Sequence, residues 1–405
     1  MPSPTPVSLK FVALLVLLWL AGLATRAPIL AVPPVIPLIH GDLDLSEAQV
    51  GFLMGLPSAM FALAAVPGSL LVARLGVIAT LIAGMLLTAL GGASRGAAGS
   101  VWALYGATLA MGFGVAISQP ALPRLVRDWM PARTGLGVTV YTNGMLLGST
   151  GATALTVPFV LPLVGGSWRL DLVAWSLPVV VPAVVLLLAP RTGREQTPAA
   201  ATRWWPDWKS PLILLLGLSF GCNNSIFFGC NGLLPDYLTA RGESHLITPV
   251  LTAFNGAQLV ASFILLGIGE RLYGRAWPFV AFGVVTIVAF PVLILAGGAW
   301  IVVCAAVLGF ALSVSFVGLL ALPPALSAPQ DVQRTAAGMF TISYTIAMIV
   351  PTLAGATWDM TGVPSSAFAP FVVCALALAV TGVMLSRHRP RPAASTSREE
   401  RSPHV

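Results

Sequence analysis

The sequence carries little charge. Only 9% of its 405 residues are Asp, Glu, Lys or Arg, whereas a soluble domain contains about 25%. Hydrophobic residues account for 57%, so most of the chain has to avoid water. We therefore predict an integral membrane protein whose main surroundings are the lipid bilayer. The net charge of +7 does not indicate nucleic acid as a partner, because the basic residues are scattered between apolar stretches.

The motifs that mark most enzymes are missing as well. The sequence contains no glycine-rich phosphate-binding loop, which argues against a protein powered directly by ATP hydrolysis. The cysteines form no CxxC pair and no cluster with histidine, so their spacing indicates neither a metal site nor a disulfide framework. We predict no enzymatic activity, no cofactor and no metal. Small buried side chains are expected at Cys222, Cys230, Cys304 and Cys374.

Acidic residues are missing from the middle of every long apolar stretch. Buried carboxylates serve as proton relays in many transporters, so their absence argues against a proton-driven exporter of lipophilic cations. Asp171, Asp236 and Asp359 lie near the predicted outer ends of apolar stretches, where we expect them to be solvated. His40 follows the first stretch and is predicted to be an outer-surface residue rather than a proton carrier.

What the sequence has in abundance is apolar windows of about 20 residues, each long enough to cross a bilayer as a helix. Ser46 and Glu47 mark one helix start clearly, as an N-cap followed by an acid in the first turn. We predict an all-α protein of twelve spans: 9–39, 47–73, 77–94, 101–124, 134–161, 168–189, 210–238, 247–269, 276–296, 300–324, 336–357 and 366–386.

The basic residues predict the orientation, since cytoplasmic loops are enriched in Lys and Arg. The chain has 21 basic residues, one of which is Arg26. Of the other twenty, seventeen lie on one side of the predicted membrane and three, Arg95, Arg169 and Arg241, lie on the other. We therefore expect both termini to be cytoplasmic in the inner (plasma) membrane. Residues 191–209 are then a cytoplasmic linker, and residues 388–405 a disordered cytoplasmic tail.

The two halves of the chain repeat. An offset of 201 residues pairs Pro34 with Pro235 and Gly68 with Gly269, and it keeps one register from the first span to the eleventh. The repeat predicts two pseudo-symmetric six-helix bundles, residues 1–190 and 210–387. Parallel halves of this kind place a substrate site between them near the midplane.

Arg26 stands out within the first span, where no acidic residue accompanies it. A guanidinium in the middle of a membrane helix costs about 2.5–3.5 kcal/mol on insertion scales. Pro28 follows closely and should kink or loosen the helix beside it. We interpret Arg26 as the binding group for an anionic ligand; the alternative is an arginine that snorkels or bonds to freed carbonyl groups.

An anion site built on one arginine needs neutral groups to orient the ligand. Several polar and aromatic residues lie in mid-span, although each polar one has the alternative role of a bond between helices. The candidate substrate-binding residues beside Arg26 are Gln119, Tyr141, Asn143, Asn224, Phe227, Asn255, Gln258 and Tyr344. At the repeat offset Arg26 corresponds to Phe227, so the predicted site is asymmetric.

Twelve spans with a basic central loop resemble the major facilitator superfamily. Residues 69–76, Ser-Leu-Leu-Val-Ala-Arg-Leu-Gly, are similar to its signature after the second span, with Ala73 in place of the aspartate. Residues 269–275 are a second irregular copy. The resemblance implies the major facilitator fold.

Other motifs resemble the cyanate permease and 2-nitroimidazole transporter family. Arg26 and Pro28, followed by the prolines of residues 33–37, are similar to the family's first span, although its proline follows the arginine directly. Residues 53–57, Leu-Met-Gly-Leu-Pro, are similar to its second span. Gln119, Asn224 and Gln258 coincide with family patterns in spans 4, 7 and 8, which implies that they bind substrate.

Together these observations predict a monomeric secondary active or facilitated transporter. Its expected substrate is a small anionic or polar planar, cyanate-like solute, which it moves by alternating access. A drug or metabolite exporter of the same fold is the alternative. A membrane enzyme or sensor would need catalytic residues at one interface or a sizeable soluble domain, and the sequence indicates neither.

Overall fold

The computed structural model describes residues 9–188, 205–272, 277–328 and 331–386, and within these ranges it contains helices and no strand. The α-helices are α1 Leu9–Leu30, α2 Ile36–Leu43, α3 Glu47–Leu75, α4 Val77–Ser94, α5 Val101–Ser118, α6 Ala121–Trp129, α7 Thr134–Leu155, α8 Leu161–Leu163, α9 Trp168–Leu188, α10 Pro211–Ala240, α11 Ile247–Leu272, α12 Trp277–Leu295, α13 Ala299–Leu320, α14 Leu322–Leu326, α15 Val332–Thr361 and α16 Ala369–Ser386.

Most of these helices are long and apolar enough to cross a membrane. In the described part of the chain, eleven stretches meet that length and composition, and the shorter apolar helix Phe279–Leu295 supplies a twelfth. Each coincides with one predicted span, with boundaries that differ by only a few residues in most cases. The prediction of twelve transmembrane helices is confirmed.

The first span is broken, as its prolines predict. α1 ends at Leu30, a 3-10 turn covers Pro33–Val35, and α2 continues to Leu43. Proline has no amide hydrogen and clashes with the preceding turn, so consecutive prolines prevent a continuous helix. Pro28 lies inside the last turns of α1. The break therefore falls a few residues after Arg26.

The start of α3 is fixed by a reciprocal pair of hydrogen bonds. The Gln49 amide donates to Ser46 Oγ at 3.3 Å, and the Ser46 amide donates to Gln49 Oε1 at 2.9 Å. This capping box satisfies two amide groups that a helix leaves without partners. The predicted N-cap at Ser46 is confirmed.

Helices pack both within and between the two halves of the chain. α1 lies along α7, and α10 lies along α15; between the halves, α3 packs against α15 and α11 against α7. α3 and α11 begin 200 residues apart, and α7 and α15 begin 198 apart. Moving along the chain by about 200 residues converts α3 into α11 and α7 into α15, so the contact of α3 with α15 becomes the contact of α11 with α7. A duplicated unit is expected to show this exchange.

The finer divisions of the chain stay predictions. They include the bounds 1–190 and 210–387 and the pairing of Pro34 with Pro235. Residues 191–204 of the predicted linker and the whole predicted tail lie outside the described residues.

Glycines let α1 and α7 approach each other closely. A Cβ at Gly144 would collide with the Trp19 carbonyl, and one at Gly148 would lie 2.7 Å from the Leu23 carbonyl oxygen. Gly151 faces open space instead. Small residues at such positions allow helix backbones to pack in membranes. This packing fixes the position of α1, which carries Arg26.

The four cysteines are buried, and none of them forms a disulfide. They lie on α10, α13 and α16, among the apolar side chains of the second half. The prediction of small buried side chains is confirmed for all four.

Candidate functional site

Arg26 lies near the middle of the broken first span, which extends from Phe11 to Leu43. Its side chain is half-buried, whereas the neighbouring Thr25 and Ala27 are buried. Within the described part of the chain, the guanidinium makes no hydrogen bond and no ion pair. Tyr344 of α15 lies within electrostatic reach of it. Among the described residues, the guanidinium of Arg26 is therefore a half-buried cation without a hydrogen-bond or ion-pair partner.

An aromatic group lies beside Arg26. Tyr344 stacks on Phe340 with ring centroids 5.9 Å apart, and its ring also contacts Phe61 of α3 at 5.1 Å. The three rings join α15 in the second half to α3 in the first. Tyr344 was predicted to line the site, whereas Phe61 and Phe340 were not. They form a wall suited to the face of a planar solute.

A row of amides connects α10 and α11. Asn255 Nδ2 donates to Asn231 Oδ1 at 2.9 Å, and Gln258 Nε2 lies 3.5 Å from Asn255 Oδ1. Asn231 in turn donates to the Phe227 carbonyl at 2.9 Å. Asn255 is buried, whereas Gln258 is half-buried. The row therefore ends on the side chain that is still accessible to a solute.

Asn224 and Phe227 have clear packing partners. Asn224 Nδ2 donates to Ser343 Oγ at 3.0 Å, and both residues are buried between α10 and α15. Phe227 stacks on Phe254 at 5.9 Å. Asn224 therefore forms a hydrogen bond between helices, which the sequence analysis gave as the alternative to substrate binding. Ser343 precedes Tyr344, so the bond also fixes the backbone beside the aromatic group.

The remaining candidates lie on α7 and after α5. Asn143 Oδ1 accepts a hydrogen bond from Trp19 Nε1 at 3.2 Å, which joins α7 to α1. Tyr141 is half-buried, and its carbonyl contacts Gly22. Gln119 follows the end of α5 and is also half-buried. Among the described residues, no hydrogen bond joins Arg26 to Gln119, Asn224 or Gln258.

The halves meet directly at the end of the bundle where α3 begins and α15 ends, which we call the closed end. Gly51 lies against the Pro351 carbonyl, Gly55 against Met348, and Gly355 against the Glu47 carbonyl. The Asp359 carboxylate accepts hydrogen bonds from the amides of Glu47 and Ala48 at 3.0 and 2.9 Å. An anion at a helix N-terminus stabilises that terminus.

Arg95, which was counted among the loop charges opposite the termini, is part of the folded interior. Its side chain is fully buried, and Nη2 donates to the Pro28 carbonyl at 2.9 Å while Nε donates to Gly92 at 3.3 Å. Pro28 lies in the last turn of α1, whose carbonyl groups have no partner within the helix. Arg95 therefore stabilises the break that follows Arg26.

Asp171 lies within electrostatic reach of Arg95 and is also fully buried. The prediction that this aspartate is solvated is wrong. Within the described residues, Arg95 Nη1 and both Asp171 carboxylate oxygens lack hydrogen-bond partners. A cavity of about 10 Å³ adjoins Arg95 and Thr108, which is room for about one water.

Asp236 is also buried, with only 6% of its surface exposed, so its predicted solvation is wrong too. Its Oδ2 lies 3.1 Å from His40 Nδ1 of α2. His40 still has 34% of its side chain exposed, and it also pairs with Asp236 across the two halves. Asp359 is exposed, as expected. No sequence signal connects His40 to Asp236, since 196 residues separate them.

Three bacterial relatives resemble the chain. An uncharacterized transporter, YycB, of Bacillus subtilis (strain 168) is 25% identical over 88% of both chains. The cyanate transport protein CynX of Escherichia coli (strain K12) is 25% identical over 86% of this chain and 91% of that protein. The 2-nitroimidazole transporter of the same strain is 29% identical over 52% of this chain, and the match spans about half of that transporter, 53%.

The fold has been seen in solved transporters. A D-xylose-proton symporter gives a TM-score of 0.74 over 94% of this chain and 98% of that one, at 12% identity, which shows the fold alone. The sequence profile of the Major Facilitator Superfamily matches residues 14–253, more than half of the chain. This is a multi-pass membrane transporter with a small-molecule substrate, and it belongs to the Major Facilitator Superfamily.

Proposed function

We propose that this transporter moves a small anionic or polar planar solute by alternating access, with Arg26 as the group that binds the negative charge. The observation that carries the proposal is the guanidinium of Arg26. It is half-buried in mid-span and has no ion pair or hydrogen bond among the described residues. Burying such a cation is costly, and an anionic substrate offsets that cost.

The surroundings of Arg26 favour a flat, small solute. The guanidinium is planar and forms two parallel hydrogen bonds with a planar anion. Tyr344 lies beside it with Phe340 and Phe61, and aromatic faces stack on planar groups. In this proposal Gln119, Tyr141, Asn143 and Gln258 orient the solute, while Asn224, Asn255 and Phe227 support the wall that α10 and α11 form.

The relatives support the same class of solute. Cyanate is a small anion, and 2-nitroimidazole is a planar ring whose nitro oxygens carry partial negative charge. Two of the similar proteins are named for transport of these compounds. Their identity to this chain is below 30%, so we extend only the chemistry that they share, a small group with negative charge on nitrogen or oxygen.

Alternating access requires the contacts between halves to form at one end and break at the other. The closed end provides such contacts, through the glycines of α3 and α15 and the Asp359 cap. We propose that this end opens when α3 and α15 separate. A solute bound between the halves at Arg26 is then exposed to each side of the membrane in turn.

Uptake by purified protein in liposomes tests the proposal. The panel is cyanate, nitrate, nitrite, small carboxylates and 2-nitroimidazole, with a lipophilic cation to represent the drug exporter. We expect uptake of at least one planar anion or nitro compound and at least a 100-fold loss of that uptake in Arg26→Ala. Lys209→Ala removes an exposed charge before α10 and should transport as the wild type does. Transport of the cation alone, undiminished in Arg26→Ala, would favour the exporter.

For the orientation, we propose an inner-membrane protein with cytoplasmic termini, on the strength of the seventeen-to-three distribution of basic residues. A cysteine introduced at Thr197 should resist an impermeant thiol reagent in intact cells and react after the cells are opened. Labelling in intact cells would reverse the assignment.

A further inference from the structure

The closed end contains a cluster of three side chains of types that can ligate a metal ion, which we call the gate cluster: His40 of α2, Glu47 of α3 and Asp236 of α10. One ligand atom of each lies within 4.8 Å of the other two, and His40 Nδ1 is 3.1 Å from Asp236 Oδ2. The cluster brings together residues from both halves of the transporter. It is distinct from the site at Arg26, which lies in mid-span.

The gate cluster holds two buried carboxyl groups, Glu47 and Asp236, and among the described residues His40 is the basic group paired with Asp236. Glu47 is 8% exposed, and within the described residues its Oε2 is buried without any hydrogen-bond partner. Asp359 adds a third carboxylate next to the Glu47 backbone. In the described part of the chain, no lysine or arginine forms an ion pair with Glu47 or Asp236. A buried carboxylate without a partner is costly, and a cation removes that cost.

We propose that the gate cluster binds a divalent transition-metal ion of the zinc class. One imidazole nitrogen and two carboxylate oxygens are ligands that zinc accepts, and three protein ligands leave a fourth position for water. Calcium and magnesium prefer sites made of oxygen alone, so the histidine favours zinc, cobalt or nickel. Ligand atoms around one zinc ion lie roughly 3.4 Å apart. Rotation of these side chains that moves their ligand atoms by about 1 Å would therefore bring them to zinc-binding distances.

Metal binding would stabilise the closed end. α2 and α3 belong to the first half and α10 to the second, so separation of the halves at this end would pull the ligands apart. A ligand that binds one state only shifts the equilibrium toward it, by about 100-fold at 100 times its dissociation constant. Zinc should therefore inhibit transport at any solute concentration. This inference does not depend on which solute is carried.

Cobalt and zinc binding to the full-length protein, purified without a polyhistidine tag, tests the proposal. We expect one saturable zinc ion per chain, and cobalt should produce the intense visible absorption of a four-coordinate site. His40→Ala and Glu47→Gln should each weaken binding at least tenfold. His245→Ala is the matched control, because His245 is an exposed histidine elsewhere, and it should bind as the wild type does.

Thermal unfolding without metal checks that each variant is folded, and Asp236→Asn replaces any variant that is not. In liposomes, zinc should slow wild-type uptake at least tenfold, and Glu47→Gln should relieve that inhibition. The proposal is overturned if the wild type binds no zinc saturably. It is also overturned if the folded variants bind zinc as tightly as the wild type does. Neither result bears on Arg26, because binding is measured without solute.

Discussion

Two arginines buried among apolar helices of this transporter have opposite surroundings. Arg95 is fully enclosed and donates to two backbone carbonyls, with Asp171 near by. Arg26 is half-buried and has no such partner among the described residues. The two are also connected, since Arg95 bonds to the carbonyl of Pro28, two residues after Arg26. The comparison teaches that a structural arginine has partners within the protein, whereas a candidate binding group is left without them.

The physical reason is the cost of desolvation. A buried cation without a partner is unfavourable by several kcal/mol, so a chain retains one only where something compensates. At Arg95 the compensation is internal, and removal should harm the fold. At Arg26 we propose that the compensation is the substrate, and removal should harm transport.

The largest effect is expected for Arg95→Ala, which removes the hydrogen bond to the Pro28 carbonyl and the positive charge within electrostatic reach of the buried Asp171. Removal of one member of a buried charge pair costs about 3–5 kcal/mol. We expect a loss of that size in the free energy of unfolding, measured by denaturant titration in detergent. Arg169→Ala is the control, because Arg169 forms a partly exposed ion pair with Asp42 and such pairs contribute at most about 1 kcal/mol. If the two variants were equally stable, Arg95 would not have the structural role assigned to it here.

A smaller effect is expected at the contact between α1 and α7. In Gly148→Ala, the new Cβ would lie 2.7 Å from the Leu23 carbonyl oxygen, and overpacking of this kind costs about 1–3 kcal/mol. The displaced α1 carries Arg26, so uptake should fall together with stability. Gly151→Ala meets nothing within 4 Å and should be neutral or slightly stabilising. If both variants behave alike, close packing of α1 is not what positions Arg26.

Arg26→Lys should produce the smallest change of this series. Lysine keeps the charge but loses the planar pair of donors, so we expect affinity for a planar anion to fall roughly tenfold, about 1.4 kcal/mol. Stability should not change, in contrast to Arg95→Ala. Competition binding on purified protein measures the affinity. If the variant bound with wild-type affinity, the site would require only a positive charge and not the paired donors of the guanidinium.

Much of the fold was predictable because it depends on local composition. Apolar windows predicted the twelve spans, Ser46 predicted the start of α3, and the prolines of residues 33–37 predicted the break after α1. Each of these features is decided by residues that are near one another in the chain. Corresponding helices of the two halves begin 198–202 residues apart, close to the 201-residue repeat seen in the sequence.

The errors concern charged residues near the ends of spans. Asp171 and Asp236 were predicted to be solvated, and Arg95 was placed in a loop, because hydropathy places helix ends at the membrane surface. In the folded protein, other helices cover these ends, so the side chains are buried. His40 and Asp236 are 196 residues apart, and local patterns contain no information about such a contact. The burial of a charge depends on tertiary packing.

The candidate site was predictable only in its central element. Arg26 stood out because a charge in an apolar span is rare, whereas Phe61 and Phe340 resemble any other core aromatic in the sequence. Asn224 and Asn143 turned out to have interhelical partners, a possibility that composition could not resolve. The residues that meet Arg26 depend on how α3 and α15 pack.

The central claim is that Arg26 binds the solute and is not needed for the fold, and one variant tests it directly. Arg26→Ala should unfold at the wild-type temperature or higher, because a costly buried charge is gone. Binding and liposome uptake of the anion identified from the panel should fall at least 100-fold. If the folded variant still transports that anion at the wild-type rate, Arg26 is a structural residue and the account is wrong.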